Sequence, residues 1–117
     1  MNTDEDLEIL LDLDGCRYDY RNGFWIKIEA HRVNPSGHIP HGIRYSLTLH
    51  DRNNTRIAGY DNAHGVKPPK RKRYGARKIV AWDHRHEYSR EYPYEFDTAA
   101  GLLSDFWNDV ERIMGEI

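Results

Sequence analysis

The stretch "CRYDYRNGFWIKIEAHRV" (residues 16–33) is the most informative about the fold, because it holds two alternating runs separated by Asn22-Gly23. Asn and Gly both accept positive φ, so this dipeptide is the strongest short-range signal for a turn between antiparallel strands. In the second run, alternate residues are apolar and would share one sheet face: Phe24, Ile26, Ile28 and Ala30. The stretch therefore predicts a hairpin whose second strand is half-buried.

Further alternating segments follow along the chain and extend the predicted sheet. "IRYSLTLH" (43–50) alternates cleanly, and "RIAGYDN" (56–62) returns as a strand after a short polar turn. "KIVAWDHRHEY" (78–88) has strand character again, and "YPYEF" (92–96) predicts a short strand after it. Consecutive strands joined by short turns predict an antiparallel meander of about five strands.

The two ends of the chain carry different signals. "LEILLDLDG" (7–15) fits a strand or a short helical turn by periodicity, and we interpret it as a strand. Near the other end, Asp97 or Thr98 can cap a helix. Apolar residues then recur at helical spacing: Leu102, Leu103, Phe106, Val110, Ile113 and Met114. We expect an α+β fold, a curved antiparallel sheet packed against a C-terminal α-helix.

Length and composition bound the organisation of the protein. A chain of 117 residues fits one domain, residues 1–117, in which we expect the acidic segment 1–6 to be frayed. Cys16 is the only cysteine, which excludes an internal disulfide and any cysteine-based zinc site. The sequence shows neither a secretory signal nor an apolar run of the roughly 20 residues that span a bilayer. We therefore expect a cytoplasmic protein with no membrane partner.

The formal net charge of -2 conceals a strongly basic loop, residues 64–78. We call it the cationic segment; its charged residues are Lys67, Lys70, Arg71, Lys72, Arg73, Arg77 and Lys78. Such a segment can follow a phosphate backbone, and Tyr74 within it can stack on a base, so RNA is the predicted partner. The alternatives are a solvated linker, or a segment that binds an acidic partner or the acidic start of the chain.

"DHRHEY" (83–88) is the second candidate for chemistry. On a strand, His84 and His86 point to one side and Arg85 to the other. Two imidazoles facing one site suit proton transfer near neutral pH, and Asp61 could orient one of them. A metal pair with Asp61 or Asp83 is the alternative, which we rank lower because no other residues show ligand spacing. Hydrogen bonding on a polar sheet face is the third alternative. We predict no cofactor and no metal.

The order of these motifs resembles the TumE family, small toxin components of toxin–antitoxin pairs. The resemblance rests on "GYDNAHG", a basic interval, "DHRHEY", "YPYEF" and "LLSDFWNDVERI", across roughly residues 45 to 113. The family positions correspond here to Tyr60, Asp61, Asn62, His84, Arg85 and His86. The resemblance implies a cytoplasmic prokaryotic protein that inhibits growth unless an antitoxin binds it, typically a helix-turn-helix DNA-binding protein.

These observations together predict an RNA-directed toxin that cleaves RNA by metal-independent acid–base catalysis. His84 and His86 are the acid and base candidates, and Asp61 would orient one imidazole. Arg85 or the cluster at 70–73 would hold phosphate, and Tyr60 with Asn62 would support the site. The alternative is a non-catalytic module that binds nucleic acid or the antitoxin through the cationic segment. The sequence leaves the oligomeric state open, including a homo-oligomer.

Overall fold

A computed structural model describes residues 6–37, 39–62 and 83–116 of the chain. Two helices flank the sheet in sequence, α1 (Asp6–Asp12) and α2 (Ala99–Glu116). The strands are β1 (Cys16–Asp19), β2 (Trp25–Arg32), β3 (Ile43–His50), β4 (Arg56–Asp61), β5 (His84–Glu87) and β6 (Arg90–Pro93). The strand order β1-β2-β3-β4-β5-β6, with every neighbouring pair antiparallel, confirms the predicted meander, although with six strands instead of about five.

The predicted hairpin is present at Asn22-Gly23. Both residues have positive φ, 62° and 80°, within a single turn of 3-10 helix at Arg21–Gly23 that joins β1 to β2. Tyr20 N donates to Phe24 O at 2.7 Å and closes the turn. The alternation of β2 is also confirmed, because Ile26, Ile28 and Ala30 are buried.

One face of the sheet forms the hydrophobic core with the two helices; we call it the helix face and its opposite the open face. The core includes Ile26, Ile28, Tyr45, Leu47, Leu49, Ala58, Leu102, Phe106, Val110 and Ile113. α2 begins where Thr98 Oγ1 accepts a hydrogen bond from Gly101 N at 3.0 Å, which confirms Thr98 as the cap. The α+β class and the packing of the sheet on the C-terminal helix are therefore as predicted.

The strand prediction for "LEILLDLDG" was wrong, since Asp6–Asp12 form α1. Leu7, Leu10 and Leu11 have the i, i+3, i+4 spacing of one helix face, and Leu10 is completely buried in the core. The same run also alternates in part, so periodicity alone did not separate the two structures. Residues 1–5 of the segment predicted to be frayed lie outside the described residues, and Asp6 begins the helix.

Candidate functional site

Two adjacent strands place an acid and two histidines on the open face. In the pairing of β4 with β5, Asp61 lies opposite His84 and Gly59 lies opposite His86. Because side chains alternate along a strand, Asp61, His84 and His86 point to the same side. The two motifs separated by more than 20 residues thus meet, as the sequence predicted.

Gly59 lets the strands pack tightly beneath this group. A Cβ atom at this position would lie 2.8 Å from Leu47 O and 3.0 Å from Thr48 Cγ2, closer than a real side chain tolerates. Any larger residue would push β4 away from β3 and shift Asp61, two residues further on. The absence of a side chain at Gly59 therefore helps to hold the Asp61 carboxylate in place.

The Asp61 carboxylate is shared between the two imidazoles. His84 Nε2 lies 2.8 Å from Asp61 Oδ1, and His86 Nε2 lies 3.1 Å from Asp61 Oδ2. The imidazole ring centroids are 4.7 Å apart with an interplanar angle of 81°. Both Nε2 atoms therefore converge on one small volume; we call Asp61, His84 and His86 the bis-histidine centre.

The centre is buried, and access to it differs between the two rings. His84 is 0% exposed, whereas His86 and Asp61 are each 6% exposed. Glu91, on β6 opposite His86, is 36% exposed at its side chain and brings Oε2 within 3.4 Å of His84 Nε2 and 3.6 Å of His86 Nε2. His86 is thus the ring closer to solvent.

Arg56 fixes which ring nitrogen of His86 carries the proton. Its Nη2 lies 3.1 Å from His86 Nδ1, and since a guanidinium only donates, Nδ1 accepts and the proton of the neutral ring sits on Nε2, facing Asp61. Burial lowers the pKa of His86, and the charge of Arg56 lowers it further, against the opposing effect of Asp61. His86 is therefore a neutral imidazole at pH 7, held at both nitrogens.

Arg85 and Tyr60 lie on the helix face and do not reach the bis-histidine centre. Arg85 Nη1 donates to Glu87 at 2.8 Å and approaches Asp109 Oδ2 at 3.4 Å. The Tyr60 hydroxyl donates to Asp109 at 2.7 Å, and burial raises its pKa. Arg112 of α2 completes the group with hydrogen bonds to Glu87 at 2.6 and 3.1 Å. These side chains fasten the edge of the sheet to α2.

Asn62 and Asp83 have partners of their own beside the centre. Asn62 Oδ1 accepts from Tyr45 N at 3.0 Å, and its Nδ2 donates to Ile43 O at 2.9 Å. The buried amide thus extends the ladder of β3 beyond the end of β4. Asp83 accepts from the Tyr45 hydroxyl at 2.6 Å and lies 3.8 Å from His41 Nε2. Of these two aspartates, Asp61 and not Asp83 accompanies the histidine pair.

The predicted RNA-contacting residues lie outside the described residues. They are Lys67, Lys70, Arg71, Lys72, Arg73, Tyr74, Arg77 and Lys78. The described residues that flank this interval, Asn62 and Asp83, follow β4 and precede β5 at the end of the sheet where Asp61 and His84 pair.

Sequence reasoning missed Arg56 and Glu91. The strand period puts Arg56 on the helix face with Ala58, but a register shift pairs Leu49 with Ala58 and His50 with Arg56, so Ile57 is an extra residue that turns Arg56 to the open face. Glu91 comes opposite His86 through the two-residue turn at Tyr88-Ser89, where Tyr88 takes φ 56°. No glycine or asparagine marks that turn, so the hairpin carried no usual signal.

A small α+β domain with a carboxylate and two imidazoles buried at one point of an open sheet face can transfer protons or bind a metal ion. The family model described as Toxin TumE matches residues 8–114, most of the chain, so the protein belongs to the TumE toxin family. This match confirms the predicted resemblance, and membership implies an antitoxin partner. No curated protein and no solved structure matches the chain. Neither described helix has the length and apolarity needed to cross a bilayer.

Proposed function

We propose that this toxin acts on RNA in the cytoplasm and cleaves a phosphodiester bond by acid–base chemistry that needs no metal ion. The observation that supports the proposal most is the shared carboxylate, since Asp61 holds His84 and His86 at 2.8 and 3.1 Å on the open face. A carboxylate that orients an imidazole and stabilises its protonated form is a recurring element of catalytic sites.

His86 is the proposed proton-transfer group. In the neutral ring, Nδ1 carries the lone pair and faces Arg56, which is an exposed side chain that can turn to a phosphate. With Arg56 on the phosphate, Nδ1 accepts the proton of the 2′-hydroxyl as that oxygen attacks phosphorus. The imidazolium, stabilised by Asp61, returns the proton to the 5′-oxygen as the P–O5′ bond breaks.

His84 is the proposed positioning residue. It is completely enclosed, so it does not touch the RNA, but its Nε2 lies 2.8 Å from the other oxygen of Asp61 and holds the carboxylate beside His86. Arg56 takes the phosphate-binding role that the sequence assigned to Arg85, because Arg85 is committed to Glu87 on the helix face.

The cationic segment is the proposed RNA-binding segment. The interval that contains it is flanked by Asn62 and Asp83, the described neighbours of Asp61 and His84, and its charge would hold the backbone of an RNA strand close to Arg56. Binding that depends on several phosphate contacts falls steeply with salt. Neutralising Arg71, Lys72 and Arg73 together should therefore weaken RNA binding and flatten its salt dependence.

A helix-turn-helix protein is the proposed antitoxin. Co-expression with the helix-turn-helix protein of an adjacent gene should restore growth of cells that make the toxin, and the two should copurify. Growth arrest that persists with that protein present would remove this part of the proposal.

The test of cleavage compares purified wild type with His86→Ala on a labelled RNA in the presence of EDTA. We expect wild type to cleave and His86→Ala to lose about 100-fold or more of the rate, since general acid–base catalysis contributes that much. His31→Ala is the matched control, an exposed histidine on β2 of the same sheet face. Intact RNA with wild type, together with growth arrest by His86→Ala, would instead support the non-catalytic binding module.

A further inference from the structure

We propose that His84, His86, Asp61 and Glu91 form a binding site for one divalent transition-metal ion of the zinc type, and that the bound ion switches off proton transfer by His86. The metal site stands on the geometry alone. The inhibitory effect rests on the proposed function.

Four donor atoms from three strands converge in this part of the sheet. The metal-facing atoms of Asp61, His84 and His86 lie within 4.8 Å of one another. Glu91 Oε2 adds a fourth donor, 3.4 Å from His84 Nε2 and 3.6 Å from His86 Nε2. Zinc takes four ligands at about 2.0–2.2 Å in a tetrahedron, which puts neighbouring donors about 3.3 Å apart. The distances from Glu91 Oε2 to the two imidazole nitrogens are close to that value.

The donor set selects the class of metal. Two imidazole nitrogens and two carboxylate oxygens suit zinc, cobalt or nickel, whereas magnesium and calcium prefer oxygen donors throughout. His84, His86 and Asp61 are buried and held by their strands, so the donors are arranged before an ion arrives. Glu91 is the partly exposed member of the donor set.

Binding the metal requires a change at His86. The ring now carries its proton on Nε2, because Arg56 donates to Nδ1. A metal on Nε2 moves that proton to Nδ1, and the two donors then face each other at 3.1 Å, so the Arg56 guanidinium must turn into solvent. Removing Arg56 should therefore tighten metal binding.

The same proton shift explains the inhibition. A metal-bound His86 has a hydrogen on Nδ1 and no lone pair there to accept the proton of a 2′-hydroxyl. Metal occupancy and the proposed cleavage step therefore exclude each other. The two roles also respond oppositely to Arg56→Ala, since this change removes a phosphate contact but favours the metal.

The binding experiment uses the full chain, first treated with EDTA and then freed of chelator, and titrates it with Zn²⁺ by calorimetry. We expect one ion per chain, about tenfold or more weaker binding for Glu91→Gln, and tighter binding for Arg56→Ala. His31→Ala should bind like wild type. Both Glu91 and Arg56 are exposed, so these variants test the site without disturbing the core.

A second experiment replaces Zn²⁺ with Co²⁺. Wild type should then show the visible absorption of a four-coordinate ion, and His84→Ala should not.

The outcomes separate this inference from the proposed function. No binding of Zn²⁺, or binding that Glu91→Gln and His84→Ala leave unchanged, overturns the metal site even if RNA is cleaved in EDTA. Binding at the site together with cleavage that EDTA abolishes and Zn²⁺ restores keeps the metal site and overturns metal-independent catalysis. Cleavage in EDTA that Zn²⁺ suppresses, less so in Glu91→Gln, supports both.

Discussion

The two faces of the same sheet use histidine and arginine side chains in opposite ways. On the open face, His84 and His86 turn inward to a shared carboxylate. On the helix face, Arg85 between them pairs with Glu87 and Asp109 at the edge of α2. The strand period thus divides one tripeptide between a candidate reaction centre and a structural joint. Neighbours in a sequence motif therefore need not share a role.

The largest effect should come from the apolar part of the helix face. Phe106 is completely buried in the core, where its ring lies edge-on to Tyr60 of β4, so Phe106→Ala should lower the free energy of unfolding by about 3–5 kcal/mol. Urea denaturation followed by circular dichroism measures the loss. Phe106→Leu keeps most of the volume and should lose less. A loss near zero for Phe106→Ala would mean that the helix does not pack on this face.

A buried polar residue should have an effect of comparable size. Asn62→Ala removes two hydrogen bonds and leaves Tyr45 N–H and Ile43 C=O without them, at about 1–3 kcal/mol for each buried group. Urea denaturation should show this loss, and the Tyr45 amide should exchange its hydrogen faster. The exposed turn residue Asn53 is the control, since Asn53→Ala should change stability little. Unchanged exchange at Tyr45 would count against the pairing.

The division of the tripeptide can be tested directly with Arg85→Gln and His86→Gln. Arg85 is partly exposed, so Arg85→Gln should cost about 1 kcal/mol of stability and leave the cleavage rate of the folded protein unchanged. His86→Gln should lower the cleavage rate and leave stability close to that of wild type. Denaturation midpoints and single-turnover cleavage supply the two readouts. If Arg85→Gln abolished cleavage at unchanged stability, the sequence prediction of a phosphate role for Arg85 would return.

The smallest effect concerns the acid stability that Glu87 contributes where the sheet meets α2. Hydrogen bonds from Arg112 hold the pKa of Glu87 below its ordinary value, and those from Arg85 lower it further, against burial. A lowered pKa contributes stability above the unfolded value of about 4.3, and this contribution is lost as pH falls through the folded pKa. Wild type should therefore lose more stability below about pH 4.3 than Glu87→Gln, as urea midpoints across pH 3–6 would show. If the stabilities of wild type and Glu87→Gln fell in parallel with pH, a stabilising role of the hydrogen bonds to Glu87 would be refuted.

Much of the fold followed from local chemistry in the sequence. Asn22-Gly23 located the first hairpin, and the alternation in β2 and β3 located the core face. The helix α2 followed from its cap at Thr98 and its apolar spacing. For α1, a short apolar run satisfied two periods at once, and only packing of Leu10 against the core decides between them. Local patterns were sufficient where a single period applied.

The site was predicted in part. The histidine pair and its meeting with Asp61 followed from alternation and from the return of the chain to the same sheet edge. Arg56 could not be placed because an extra residue at Ile57 reverses its side, and Glu91 depends on a turn whose residues carry no turn signal. Such features are fixed by the register of several strands together, which a single stretch of sequence does not contain.

The pairing of Asp61 with His84 also divides the centre between two halves of the chain. Residues up to 62 contribute the carboxylate and Arg56, whereas residues from 83 onward contribute both imidazoles and Glu91. Two separately expressed fragments would meet through the pairing of β4 with β5 and through the packing of α2 on α1 and β4, and we expect each alone to be inactive and their assembly to regain activity. The fold therefore offers a natural place to split the protein into a conditional, two-part switch.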